Sequence, residues 1–236
     1  MALARRHHTT NVRRARKLEA MKQILVYSDS LTWGIIPDTR NRLSFGDRWP
    51  GAMENILNDK ERTYRVIENC LNGRRTAWDD PFKPGRNGLQ GIEQVIEMHS
   101  PLELVVLMLG TNDFQSMHDH NAWHSAQGIR SLIASIRQAP IEPGMPVPQI
   151  LLVVPPLIHT PKGPIAPKFK GGENKCLGIA QEYKVVADEM DCLYFDSESV
   201  TSSSTVDGIH LDKEQHKVLG VALAEKIKES VEKGCA

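Results

Sequence analysis

Cysteine is scarce, and the four present, Cys70, Cys176, Cys192 and Cys235, stand far apart with no Cys-x-x-Cys pair. Neither a zinc site nor a disulfide framework is indicated, and a reducing compartment is expected. Net charge is also lacking: 29 Lys plus Arg balance 29 Asp plus Glu, so no overall field draws the chain to nucleic acid or to an anionic membrane surface. No apolar run approaches the roughly 20 residues that cross a bilayer. The signatures G-x-G-x-x-G, the P-loop and G-x-S-x-G are missing as well. Dinucleotide binding, nucleotide hydrolysis and the α/β-hydrolase plan therefore have no support, and no cofactor is expected. Residues 1–20 are basic without the apolar centre of a secretory signal, nor do they form the apolar face of a transit peptide. They read as an extension outside the fold, disordered or docked on a neighbouring subunit, and the chain is expected in the cytoplasm.

What is present from residue 21 onward is a regular alternation of short apolar runs with helical patterns. Residues 24–27, 64–68, 102–109, 149–154 and 192–195 read as five strands. Between them, Trp49, Met53, Ile56 and Leu57, then Leu89, Ile92, Val95 and Ile96, then Ala126, Ile129, Leu132, Ile133 and Ile136 recur at helical spacing. Two further helices carry Leu177, Ala180, Tyr183, Val186 and Met190, and Val218, Leu219, Ala222, Leu223 and Ile227. Strands alternating with helices imply right-handed crossovers and a parallel sheet covered on both faces. The expectation is a single α/β domain over 21–236, a flavodoxin-like three-layer sandwich with a five-stranded parallel sheet in the order 2-1-3-4-5. Two polar loops, 77–88 and 155–172, are long enough to suggest a role at a site or a subunit contact.

Polar clusters stand at the carboxyl ends of four of these strands, where ligands bind in open α/β sheets. They are Ser28-Asp29-Ser30 with Thr32, Asn72-Gly73, Gly110-Thr111-Asn112-Asp113 and Asp207-Gly208-Ile209-His210. Taken singly, each has a plain structural reading: Ser30 or Asn112 as a helix cap, Gly73 in a turn, Asp207-Gly208 as a turn pair. Taken together, they supply a nucleophile (Ser30), a base (His210), an acid that orients the base (Asp207) and oxyanion donors (Ser30 N–H, Gly73 N–H, the Asn112 amide). The three-residue spacing of Asp207 and His210 lets the carboxylate turn back onto Nδ1 and leaves Nε2 for Ser30.

These ordered blocks resemble those of the SGNH/GDSL hydrolases, and the segments DSLTWG, DRWP, LMLGTND and VDGIHLD are most similar to the arylesterase and acyltransferase (perhydrolase) branch. The resemblance implies a serine esterase acting on short-chain acyl or aryl esters, with Ser30, Asp207 and His210 catalytic and Ser30, Gly73 and Asn112 forming the oxyanion hole. It also implies Trp33 as a wall of a narrow acyl pocket, water or an alcohol as acyl acceptor, and a homo-oligomer; Asp29, beside the nucleophile, and Trp78, in a loop, are further expected substrate contacts. A carbohydrate O-deacetylase is the alternative with the same machinery. One departure stands out: Ser28 occupies the position of the family's first glycine. Serine resists backbone angles that glycine admits, which implies a weakened or reshaped site, or at the extreme a binding module without catalysis.

His118, Asp119, His120 and His124 are metal-ligating residue types in one segment. The proposed chemistry needs no metal, and the segment reads as a solvated face. Trp49 and Trp123 fall at helical positions and are expected to pack, whereas Trp33 and Trp78 are expected in loops.

Overall fold

The computed structural model describes residues 21–234; the expected extension at 1–20 lies outside the described residues. Five parallel strands form one sheet: β1 (Lys22–Ser28), β2 (Tyr64–Cys70), β3 (Leu104–Met108), β4 (Gln149–Val154) and β5 (Leu193–Asp196). Their order is β2-β1-β3-β4-β5, the doubly wound order expected from the alternation. β1 is paired along its length with β2 and from Ile24 onward with β3, so that Ser28 stands opposite Cys70 on β2 and Met108 on β3. The chain therefore leaves β1 at the middle of the sheet's carboxyl edge, flanked by the turns that follow β2 and β3.

Side-chain parity divides the core into two layers, because successive residues of a strand point to opposite faces. Leu25, Tyr27, Val105, Leu107, Leu152 and Val154 face α3 (Ile92–His99), α4 (Ala122–Gln138) and α7 (Ile179–Glu189). Ile24, Val26, Val106, Met108, Leu151 and Val153 face α2 (Trp49–Leu57) and α8 (Lys213–Gly234), where Trp49, Met53, Leu219 and Leu223 are fully buried. Pro50 falls in the first turn of α2, where its missing N–H costs nothing. The central strands are apolar on both faces, as a doubly covered sheet requires.

Two elements differ from the sequence reading. Trp123 does not pack: it is 53% exposed on α4, in contrast to the buried Trp49. Trp33 is not in a loop but closes α1 (Ser30–Trp33), a single turn ended by Gly34. The 155–172 segment is folded back on the domain, with a short helix, α5 (Ala166–Phe169), and with Ile158 and Phe169 buried. One more turn, α6 (Gly172–Lys175), leads from it towards α7.

Candidate active site

Ser28 and Asp29 set the position of Ser30. Ser28 ends β1 with the parity of Ile24 and Val26, so its side chain enters the α2/α8 layer. Its hydroxyl donates to Met108 O (2.6 Å) and accepts from Thr32 Oγ1 (2.7 Å), which in turn accepts from Trp49 Nε1 (3.1 Å). Its backbone is not in the left-handed region; Asp38 and Asp191 are the described non-glycine residues that are. The expected strain at Ser28 is therefore absent: this position continues a strand, and the freedom of glycine is not used there.

Asp29 caps α1, with Oδ1 accepting the Leu31 N–H at 2.9 Å, a contact worth about 1 kcal/mol in typical helices. Ser30 is the first residue of that turn, so its N–H has no carbonyl partner within the helix. The side chain of Ser30 faces His210, with Oγ 3.3 Å from Nε2.

His210 is held from behind. Asp207 Oδ2 lies 2.7 Å from His210 Nδ1, and Asp207 Oδ1 accepts the N–H groups of Ile209 and His210, each at 2.9 Å. Burial opposes ionisation of this carboxyl, but the hydrogen bond from the His210 ring and the two amides outweigh it and hold Asp207 below the usual carboxylate range. Because a carboxylate faces Nδ1, the ring proton belongs there and the Nε2 lone pair faces the serine. Gly208 makes the tight loop possible: its φ is +78°, and a Cβ would lie 2.5 Å from Thr160 O. That close approach ties the 155–172 segment to this loop through His159 N–H to Gly208 O (2.9 Å) and Lys162 N–H to Asp207 O (3.0 Å).

On the other side of Ser30 stand Gly73 and Asn112, which share one cavity with Ser30 and His210. Gly73 adopts φ +85°, which suits glycine, although a Cβ there would touch only the Arg86 side chain. The Asn112 amide is clamped at both atoms: Oδ1 accepts from Gln115 Nε2 (2.7 Å) and Nδ2 donates to Asp29 Oδ2 (2.8 Å). One amide hydrogen is left for the cavity.

A fully buried arginine joins these two donors. Arg75 donates to Gly73 O (3.2 Å), to Gln115 Oε1 (2.6 Å) and to Asp80 Oδ2 (2.9 Å). Its Nε also donates to His118 Nε2 (2.7 Å). Asp113 braces the same region, accepting from Thr76 N, Thr76 Oγ1 and Ser125 Oγ. Sequence reasoning found Gly73 and Asn112 but not Arg75 and Gln115. Their adjacency to Gly73 and Asn112 was a signal, but the burial of an arginine is not readable from its neighbours in the chain.

The candidate substrate contacts are placed elsewhere. Asp29 is buried and committed to Leu31 and Asn112; burial pushes its carboxyl up to about 6 against those two hydrogen bonds and the His210 and Arg74 charges. Trp33 lies under the Arg42 guanidinium, 4.7 Å from the ring centre, and Trp78 packs against His120 with ring centres 4.3 Å apart and planes inclined by 38°. Neither indole lines the cavity at Ser30. The residues that do line it, besides those above, include Ile35, Arg40, Lys83, Ile165, Lys168 and Phe169. The loop 155–172 thus contributes to the site, and 77–88 contributes Lys83.

The histidine segment is packed rather than ligating. The rings of His118 and His120 stack at 4.8 Å, those of His120 and His124 lie 5.5 Å apart, and His124 closes a capping box with Asn121 at the start of α4. Asp119 is exposed. Among the described residues no group of three or more His, Cys, Asp or Glu has a metal-holding arrangement.

With this geometry in view, the chain can be compared with known proteins. It is similar to the aryl esterase of M. smegmatis, with 35% identity over 88% of this chain and 99% of that one and a TM-score of 0.83. It is also similar to a carbohydrate acetylesterase from Sinorhizobium meliloti, at 34% identity over 88% of this chain and 99% of that one, with a TM-score of 0.81. No curated protein sequence matches. The profile of the GDSL-like lipase/acylhydrolase family matches residues 29–218, which contain every residue of the Ser30 site, and the chain belongs to that family.

Proposed function

We propose that the protein is a serine ester hydrolase that works through an acyl-enzyme on Ser30. The observation that carries this reading is the continuous line from Asp207 Oδ2 through His210 to Ser30 Oγ, at 2.7 and 3.3 Å. His210 Nε2 takes the Ser30 proton as Oγ attacks the ester carbonyl, and Asp207 stabilises the imidazolium that results. The tetrahedral oxyanion accepts from the N–H groups of Ser30 and Gly73 and from the free amide hydrogen of Asn112. Nε2 then gives its proton to the departing alcohol. Water, activated by the same nitrogen, repeats the sequence and releases the acid.

Space supports a short acyl group. The cavity at Ser30, Gly73 and Asn112, at about 60 Å³, is the smaller, and the adjoining cavity on the histidine side has about 310 Å³. The alcohol portion, which receives its proton from His210, belongs in the larger space. An aryl alcohol and a sugar are both candidates for it, and an alcohol replacing water would turn hydrolysis into acyl transfer. Self-association belongs to the same reading and is supported by Phe82, 80% exposed beside Lys83 at the site; sedimentation measures it. The test of the reaction is intact mass after treatment with a fluorophosphonate, with peptide mapping and a parallel p-nitrophenyl acetate assay. A single adduct on Ser30 with loss of turnover is expected; an unlabelled Ser30 in a protein without turnover would overturn the reading.

A further inference from the structure

The space around Ser30 is lined by three cations, Arg40, Lys83 and Lys168, and by no carboxylate. Arg40 and Lys168 continue into the larger cavity beside His210, where the two carboxylates are Asp207, already committed to His210, and Asp38 at the exposed rim. Some exposed cations of the fold meet carboxylates, as Lys213 does Asp47, and others such as Arg65 and Lys170 do not; what sets these three apart is that they converge on one concave space. Arg40, Lys83 and Lys168 have no ion pair among the described residues. Three unpaired cations converging on a concave space focus a positive field into it, which raises the local concentration of anions.

We propose that Arg40, Lys168 and Lys83 select esters whose alcohol portion carries an anionic group, a carboxylate or a phosphate. The inference rests on the esterase reading for its chemistry but not for the binding it describes. The direction follows from the proton path: His210 Nε2 serves the leaving alcohol, and in the larger cavity, beside the Asp207–His210 pair, Arg40 and Lys168 stand with His210 as they do in the smaller one. An acetyl group in the smaller space leaves the charged end of the alcohol between those two side chains. Crowding is consistent with this. Lys168 is held below the usual lysine value by burial and, against the opposing Asp80, by the charges of Arg75, Lys83 and Arg40; a bound anion would relieve that repulsion.

The experiment compares three acetate esters on the full-length enzyme: para-acetoxybenzoate, para-acetoxyphenyl phosphate and the neutral para-acetoxybenzamide. Each kcat/KM is normalised to the rate of hydroxide-catalysed hydrolysis, so that leaving-group chemistry cancels. The wild type is expected to favour at least one anionic ester over the amide by about tenfold. Whichever anion is preferred names the group. The preference should fall towards parity in Arg40→Gln/Lys168→Gln and on addition of about 0.5 M NaCl, because exposed charges are screened. Lys83→Gln should reduce it less. The same three compounds are titrated into Ser30→Ala by calorimetry, which reads recognition without turnover. Equal affinities and equal normalised rates for all three would overturn the inference. An anion preference in binding that survives in the double variant would do the same. A preference in binding that the double variant abolishes, in a wild type with neither turnover nor a fluorophosphonate adduct, would overturn the esterase reading and leave the cationic mouth standing.

Discussion

The segments 207–212 and 118–124 each set a histidine against a charged side chain, with opposite results. His210 has a carboxylate on Nδ1 and a hydroxyl on Nε2, so one nitrogen is held and the other is aimed at Ser30. His118 has a guanidinium on Nε2, at 2.7 Å from Arg75. Burial and that positive charge push His118 down to about 4, which keeps it a neutral acceptor at ordinary pH. The first arrangement leaves a lone pair free to take a proton, whereas the second spends the lone pair on holding Arg75. The sign of the partner and the nitrogen it occupies decide the role, and the count of histidines in a segment does not.

The largest effect expected from this comparison is at the first segment. Ser30→Ala and His210→Ala should each lower kcat/KM on p-nitrophenyl acetate by at least about a thousandfold, as removal of one member of such a unit does. Far-UV circular dichroism should be unchanged. A His210→Ala enzyme retaining most of its activity would erase the distinction between the two segments.

The next effect lies where the segments meet, at Arg75. Asn112→Ala should cost about a hundred- to a thousandfold in kcat by removing an oxyanion donor. Arg75→Met acts on the same donor from further away, by freeing Gln115 and the Gly73 carbonyl. It should lower kcat about tenfold with a smaller change in KM, and it leaves Asp80 and His118 without their partner. Breaking a buried pair of this kind costs about 3–5 kcal/mol, read as a lower denaturant midpoint. Arg75→Lys should not restore kcat, because one ammonium cannot reproduce a planar fork that meets Gly73, Asp80, Gln115 and His118 together.

His216 sharpens the contrast in a third way. It is fully buried, accepts from the Trp49 N–H at 3.3 Å and, among the described residues, has no carboxylate partner. Burial, with the Arg48 and His210 charges, lowers it to about 3. The unfolded chain protonates near 6.5, so between pH 6.5 and 3 it binds more protons than the native state at this residue, and stability falls as pH falls through that window. His118 acts in the same direction from 6.5 to about 4. Asp29, raised to about 6, acts the other way, since its native form holds the proton that the unfolded carboxyl loses near pH 4. His216→Asn should flatten the decline of Tm between pH 6.5 and 4.5, and Asp29→Asn should steepen it. Thermal melts across that range decide both.

The smallest effect is expected at His120. His120→Ala removes a stacked ring but no group that faces Ser30, and its kcat/KM should stay within about twofold of wild type, the scale of surface changes away from a site. A large loss restored by added zinc would break the comparison and return the 118–124 segment to metal chemistry.

Much of this molecule could be read from the chain because the features were local. The parity of Ile24, Leu25, Val26 and Tyr27 and the continuous apolar runs of β3 and β4 specify buried parallel strands. Their alternation with helices implies a doubly wound parallel sheet, and of the orders open to one the first expectation, 2-1-3-4-5, is the order observed. Ser30, Gly73 and Asn112 were visible because they follow the carboxyl ends of the neighbouring strands β1, β2 and β3, whereas Asp207 and His210, which follow the edge strand β5, were visible from their own three-residue spacing. Ser28 was legible as a departure but not in its consequence: whether a glycine position needs glycine depends on its backbone angle, and here the strand continues through it.

Tertiary structure alone decided what surrounds those residues. Trp33 and Trp78 were aromatic residues near the right blocks, yet their rings went to Arg42 and His120, because the direction of a side chain depends on contacts distant in sequence. Asp29 likewise turned inward to Asn112, 83 positions away. Arg75 and Gln115 became the brace of Gly73 and Asn112, and Arg40, Lys83 and Lys168 the charged lining of the cavity, only once loops from separate crossovers were folded together. The amino-acid order by itself determined the sheet, its two apolar layers and the candidate groups of the site, since each follows from periodicity or from position relative to a strand end. The partners that hold those groups and the charge of the space in front of them were decided by the tertiary structure, since burial and proximity between distant residues exist only in the folded chain.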